Sequence, residues 1–197
     1  MQYGRVHCLT CSLKCEILPS RPTQCLNRQI CIWPAVNPPL ETGLISLINS
    51  LDVESPASKI IFVDFSWINV RAFMNEGWID YLGSSEMKII LLSDRKMMPL
   101  AVWYARSEPR ISDVIFIQQS VTRLKASLQK VLVGLPLPKQ AVRGLKKAEK
   151  EVFYLTLNSF SVAEISSKMN LDKKTIYNIR QRIESKMGLK IKGFISF

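Results

Sequence analysis

The sequence predicts an α/β unit, a parallel sheet with flanking helices, followed by a smaller all-α unit. Three observations carry this. Apolar runs of strand length alternate with helical stripes between residues 30 and 134. Pro136 and Pro138, then Gly144, break the chain beyond them. Residues 139–197 then hold 13 Lys and Arg against 5 Asp and Glu, whereas residues 1–138 hold 14 against 11. The predicted organisation is a Cys-containing extension over 1–29, an α/β domain over 30–134, a linker over 135–144 and a helical domain over 145–197. No repeat of solenoid length is visible.

The first part is read element by element. Ile30 to Trp33 is a short strand stopped by Pro34. Leu40, Leu44, Leu47, Ile48 and Leu51 fall at helical spacing over 40–51. The runs 59–65, 87–93 and 113–117 are mostly apolar, the first ending near Asp64, as strands buried on both faces are. A long helix is expected over Trp67 to Leu82, and a short one opens at Pro99 and runs to Arg106. Val121, Leu124, Leu128, Val131 and Leu132 form the stripe of a last helix. Strand and helix alternating through short connections predict a parallel sheet covered by helices. Met97 and Met98 are expected at the surface, as an adaptable partner face.

Composition removes several classes of function. His7 is the one histidine, which argues against His-based triads and multi-His metal centres. No Gly-rich phosphate loop and no convincing acid–base constellation is present, so no enzyme, catalytic residue or cofactor is expected. No apolar run reaches the ~20 residues of a membrane helix, and no secretory signal is read. The expectation is a soluble cytoplasmic protein at the nucleoid, without membrane attachment. Cys8, Cys11, Cys15, Cys25 and Cys31 lie within the first 31 residues. They contain one Cys-x2-Cys but lack the second that makes a zinc ribbon, so they are read as reduced thiols and no metal is assigned. The net charge of +11 calls for a polyanionic partner.

The α/β part resembles the receiver domain of bacterial response regulators. Asp64 stands at the strand end where that family accepts phosphate, and Ser93 where it has Ser or Thr. The resemblance is degenerate. Trp33-Pro34-Ala35-Val36 carries no acid to hold Mg²⁺, and Gln118 replaces the family's Lys. The segment between Leu51 and Lys59 is too short for a further strand–helix pair.

The last part breaks into three helices. The first runs from Ala148 to Leu157. Ser161 and Glu164 form a capping box before the second, which ends at Met169. Asp172 caps the third, which stops at Gly188. A short helix, a tight turn and a longer basic helix make a helix-turn-helix. On the third helix Ile176, Ile179, Ile183 and Met187 form one apolar stripe. Lys174, Tyr177, Asn178, Gln181 and Ser185 lie opposite, with Arg182 on one flank, Lys173 and Arg180 towards the other, and Lys186 nearer the core edge. Amides pair bidentately with adenine edges, and cations hold phosphates. The expected DNA-binding residues are therefore Lys173, Lys174, Thr175, Tyr177, Asn178, Arg180, Gln181, Arg182, Ser185 and Lys186.

This segment resembles the LuxR/FixJ-type helix-turn-helix. The matching residues are Leu145, Glu149, Glu151, Phe160-Ser161, Glu164-Ile165-Ser166, Lys174-Thr175-Ile176 and Lys186-Met187-Gly188. The resemblance maps the base-facing positions onto Tyr177, Asn178 and Gln181. Departures are Ile179 at a frequent His, Ser159 or Phe160 at a frequent Gly, and a fourth helix reduced to 189–197. The whole layout, with Ile32-Trp33-Pro34 before a helix holding Gly43 to Ile48, resembles the enterobacterial RcsA/BglJ/EcpR (MatA)-like group. That resemblance implies a sequence-specific transcription regulator, an activator or a repressor, and the missing acidic pair with Gln118 in place of Lys adds the expectation that it is independent of phosphorylation. It acts on double-stranded DNA as a homodimer or as a heterodimer with another regulator. The alternative is an auxiliary protein that binds a partner regulator through its receiver-like domain and adds mainly non-specific DNA affinity.

Overall fold

The computed structural model describes residues 6–9, 29–53, 55–83, 86–138 and 141–191. Five strands form one sheet in the order β1-β2-β3-β4-β5. They are β1 (His7–Cys8), β2 (Ile30–Trp33), β3 (Ile60–Phe65), β4 (Lys88–Ser93) and β5 (Ile111–Phe116). β2 to β5 run parallel, and β1 pairs antiparallel with β2. Every residue of β2 and β3 is buried, which is why these runs lack a polar alternation. Helix α1 (Pro38–Asn49) and helix α4 (Val121–Leu132) cover one face, with Leu44, Ile48, Leu128 and Leu132 packed on Ile32, Phe62 and Ile90. A 3-10 helix (Trp67–Phe73), α2 (Gly77–Gly83) and α3 (Met98–Ser107) cover the other. There Trp78 stacks on Trp33 at 6.0 Å, and Tyr104 meets Phe65 edge-on at 5.9 Å.

Several expectations change. The helix expected over Trp67 to Leu82 is two elements. The Asn75 side chain accepts the Gly77 N–H at 2.9 Å, and this turn separates the 3-10 helix from α2. Met97 and Met98 are buried, not exposed, at 0% and 2% of their surface. Asp94 accepts the Met97 N–H at 2.8 Å and the Trp67 N–H at 2.8 Å, which turns both methionines inward at the start of α3. The last strand begins at Ile111, two residues earlier than expected, because the Glu108–Arg110 turn already points the chain into the sheet. His7 and Cys8, placed by the sequence in the extension, form the edge strand instead, with Leu9 fully buried beneath α1. His7 Nδ1 lies 2.6 Å from Glu41 Oε2 of α1. The stripe of α4 packs on the sheet through Leu128, Val131 and Leu132, while Val121 stays 61% exposed. Cys8 and Cys31 are free thiols opposite each other in the β1–β2 register. Cys11, Cys15 and Cys25 lie outside the described residues.

Helices α5 (Lys147–Leu157), α6 (Val162–Met169) and α7 (Lys173–Met187) form the basic unit. α5 and α7 pack on α3, and one continuous apolar cluster joins them to the sheet. The Tyr104 and Tyr154 hydroxyls share a buried hydrogen bond across this seam. The Leu145 N–H donates to the Pro99 carbonyl at 2.9 Å. Lys150 Nζ reaches Glu76 Oε1 at 2.8 Å and lies 4.7 Å above the Trp103 ring. The seam fixes how the basic unit faces the sheet.

Candidate nucleic-acid interface

The helix-turn-helix is built by local hydrogen-bonding devices. Ser161 Oγ accepts the Glu164 N–H at 3.3 Å, and Glu164 Oε2 accepts the Ser161 N–H at 2.7 Å, so the capping box starts α6. Asn170 then takes a left-handed conformation, φ +51°, which ends α6 without a glycine. The Ser166 hydroxyl donates to the Leu171 carbonyl at 2.5 Å and tightens the turn. Asp172 opens α7, with Oδ1 accepting the Thr175 N–H at 2.7 Å and Oδ2 the Thr175 hydroxyl at 2.6 Å. These hydrogen bonds hold the Glu164 and Asp172 carboxyls below their ordinary pKa values.

The orientation of α7 follows from its apolar stripe. Ile176, Ile179, Ile183 and Met187 are buried with Val152, Phe153 and Ile165. At 100° per residue that forces the polar row outward. Lys173, Lys174, Asn178, Gln181, Arg182 and Ser185 are exposed, and Tyr177 is 57% exposed. Arg180 is half-buried on a flank. Two expected contacts are engaged within the protein. The Thr175 hydroxyl serves the Asp172 cap. Lys186 Nζ turns inward to Glu149 Oε2 at 2.6 Å and to the Gly144 carbonyl at 3.0 Å, so it ties α7 to α5 and the linker. Glu149 also accepts the Lys146 N–H at 2.7 Å, which compensates its burial.

One feature of this face has no linear signature. Arg106, at the end of α3, and Arg143 line the same open concavity as Asn178, Gln181, Arg182 and Ser185. Arg106 is 72 positions from Asn178 in sequence, and only the seam brings them together.

The receiver-like end of the sheet holds Asp64 fully buried, its Oδ2 accepting from Asn37 Nδ2 at 3.0 Å. Among the described residues, Asp64 Oδ1 has no hydrogen-bond partner. The Ser93 hydroxyl donates to the Asp94 carbonyl at 3.1 Å. Gln118 Oε1 accepts the Arg95 N–H at 3.0 Å. Among the described residues no group of three or more His, Cys, Asp and Glu could hold a metal, and no helix is long and apolar enough to cross a membrane.

An α/β receiver-like sheet joined to a helix-turn-helix defines the class of architecture, and the sequence comparison defines the family. The EcpR N-terminal domain matches residues 7–132, and the chain belongs to that family. It is 31% identical over 193 residues to the uncharacterised protein YqeH of Escherichia coli K12, covering 96% of this chain and 92% of that one. A structure of two RcsB dimers bound to two parallel DNAs overlaps at a TM-score of 0.39, with 22% identity over 78% of each chain. RcsB from Salmonella enterica serovar Typhimurium, bound to the promoter rprA, overlaps at a TM-score of 0.31, with 22% identity over 75% of this chain and 80% of that one.

Proposed function

We propose that this chain is a sequence-specific, DNA-binding transcription regulator that carries out no chemical reaction. The observation that supports the reading best is the outward row of α7. Tyr177, Asn178 and Gln181 stand exposed on a helix whose other side is core, with Lys173, Lys174, Arg180 and Arg182 around them. In this reading α7 enters the major groove, the amides read base edges and the cations hold phosphates. The partner is double-stranded DNA, and the working species is a dimer, homomeric or with a second regulator. One such helix reads only a few base pairs, and specific sites usually pair two half-sites. The units in this proposal are the receiver-like sheet and the helix-turn-helix, joined over 135–144.

Regulation in this proposal does not use aspartyl phosphate. Asp64 is fully buried and bonded to Asn37, residues 34–37 bring no second acid, and Gln118 is a neutral amide bonded to Arg95. Both Asp94 oxygens accept backbone N–H groups. Among the described residues Asp64 Oδ1 is the one carboxylate oxygen here without a partner, and one oxygen does not make the cluster that Mg²⁺ needs.

The test is the affinity of the full chain for genomic DNA fragments, read by selection and sequencing against excess competitor. Enrichment of one sequence pattern, relaxed in Asn178→Ala, is expected. Binding without any preferred sequence, with preference appearing only when a partner regulator is added, would favour the auxiliary reading.

A further inference from the structure

We infer that the DNA contact continues from the recognition helix onto the α/β unit, with Arg106 and Arg143 holding backbone phosphates beside α7. This rests on the DNA-binding reading above. Arg106 lies in the last turn of α3 and Arg143 just before the seam, and both are exposed. Among the described residues neither forms an ion pair with a carboxylate. They line an open concavity of about 1080 Å³ together with Asn178, Gln181, Arg182 and Ser185.

The charge in that concavity is unbalanced. Its one carboxylate is Glu149, which is 3% exposed and already bonded to Lys186 and to the Lys146 N–H. Arg106, Arg143, Lys146 and Arg182 therefore face the opening without a counter-charge. Like charges gathered over one hollow repel each other, and a polyanion relieves that repulsion. The arrangement is also held rigidly. The Leu145 N–H is bonded to the Pro99 carbonyl, and Lys186 to the Gly144 carbonyl at 3.0 Å. A Cβ on Gly144 would lie 3.1 Å from Val102 Cγ1 and 3.3 Å from the Trp103 backbone nitrogen, so the linker lies flat on α3. Arg143 is thereby held next to α7.

The geometry favours a strand of phosphates over a small anion. The concavity is far larger than a phosphate group, and it is open. Its α7 wall carries Asn178 and Gln181, uncharged amides suited to base edges. A duplex seated on α7 brings its backbone along the groove rim, where the opposite wall presents Arg106 and Arg143. Arginine's planar fork suits such a phosphate contact.

The test is the salt dependence of the full chain's affinity for a random-sequence duplex several helical turns long. Each phosphate contact contributes about 0.9 to the slope of log affinity against log salt. Arg106→Gln and Arg143→Gln are each expected to lower the slope by about 0.9 and the pair by roughly twice that. Both side chains are exposed, and unchanged circular dichroism and melting will show that the fold is kept. Lys173→Gln serves as the comparison within the helix-turn-helix. An unchanged slope in the Arg106 and Arg143 variants, with a lowered slope in Lys173→Gln, overturns the inference and leaves the DNA reading intact. No binding by the wild type, specific or non-specific, overturns both. Calorimetric titration with pyrophosphate without DNA is the remaining arm. Saturable binding lost in Arg106→Gln, with the DNA slope unchanged, would assign the concavity to a small anion and overturn the inference.

Discussion

Asn178 on the outward row of α7 and Lys173 on its flank are both exposed but are expected to fail differently. Asn178→Ala should relax sequence preference by ~1–3 kcal/mol while leaving non-specific binding nearly intact. Lys173→Ala should weaken all duplexes alike and lower the salt slope by about 0.9. Affinity for a selected and a scrambled site, measured across salt, separates the two. The reverse pattern would mean that α7 docks in another orientation. The caps add a pH dependence at this scale. Glu164 and Asp172 have folded-state pKa values below their ordinary values of 4.5 and 3.8. Their contribution is therefore present above those values and lost as pH falls through the lowered ones. Acid titration by circular dichroism should show α6 and α7 loosening below about pH 4, since both ordinary values lie near it. Asp172→Asn keeps a cap acceptor and should remove part of that acid limb.

At the scale of elements the seam between α3 and α5 is the joint on which geometry depends. Burial pushes the Tyr104 hydroxyl up to about 12, against a partly offsetting hydrogen bond from Tyr154. Burial raises the Tyr154 hydroxyl as well. A raised value means that the neutral phenols stabilise the seam fully below pH 10, and that this is lost as pH rises through about 12. Tyrosinate absorbance should show a late-titrating component that Tyr104→Phe shortens, coincident with loss of near-ultraviolet dichroism. Absence of any late-titrating component would contradict the buried pair. Gly144→Ala tests the same joint sterically. The added methyl meets the backbone of α3, which cannot yield as a flexible side chain would. The expected cost is ~1–3 kcal/mol, read as a lower melting midpoint of the full chain.

At the scale of the molecule, one recognition helix reads only a few base pairs, and a specific site usually needs two half-sites. Sedimentation of the full chain with a selected operator should give two protomers per duplex, or one protomer with a second regulator. A single protomer bound tightly and specifically, with no partner required, would sink the dimer. The α4 stripe offers little toward such a contact, because Leu128, Val131 and Leu132 are spent on the sheet and only Val121 is largely exposed. Incubation with acetyl phosphate and Mg²⁺ should leave the intact mass unchanged. A phosphoryl adduct at Asp64 that alters DNA affinity would overturn phosphorylation independence.

What the linear sequence determined by itself is local. The strands of 30–33, 59–65 and 87–93 were legible because burial on both faces leaves a mostly apolar run. The helix-turn-helix was legible because its caps lie three residues apart, at Ser161–Glu164 and Asp172–Thr175, and its core stripe follows the helical period. The failures share one cause. Met97 and Met98 look exposed until Asp94, from outside their helix, turns them inward. His7 and Cys8 are too short a run to signal a strand without β2 beside them. Lys186 is read near the core edge of its helix, but the sequence does not show that Glu149 of α5 claims it. Arg106 carries no sign of belonging near Asn178, because the contact between α3 and α7 is long-range and settled only by packing across the Tyr104–Tyr154 seam. Periodicity and capping act over a few residues and are written along the chain. The placement of one element's charge beside another's amides is decided by which apolar faces find each other.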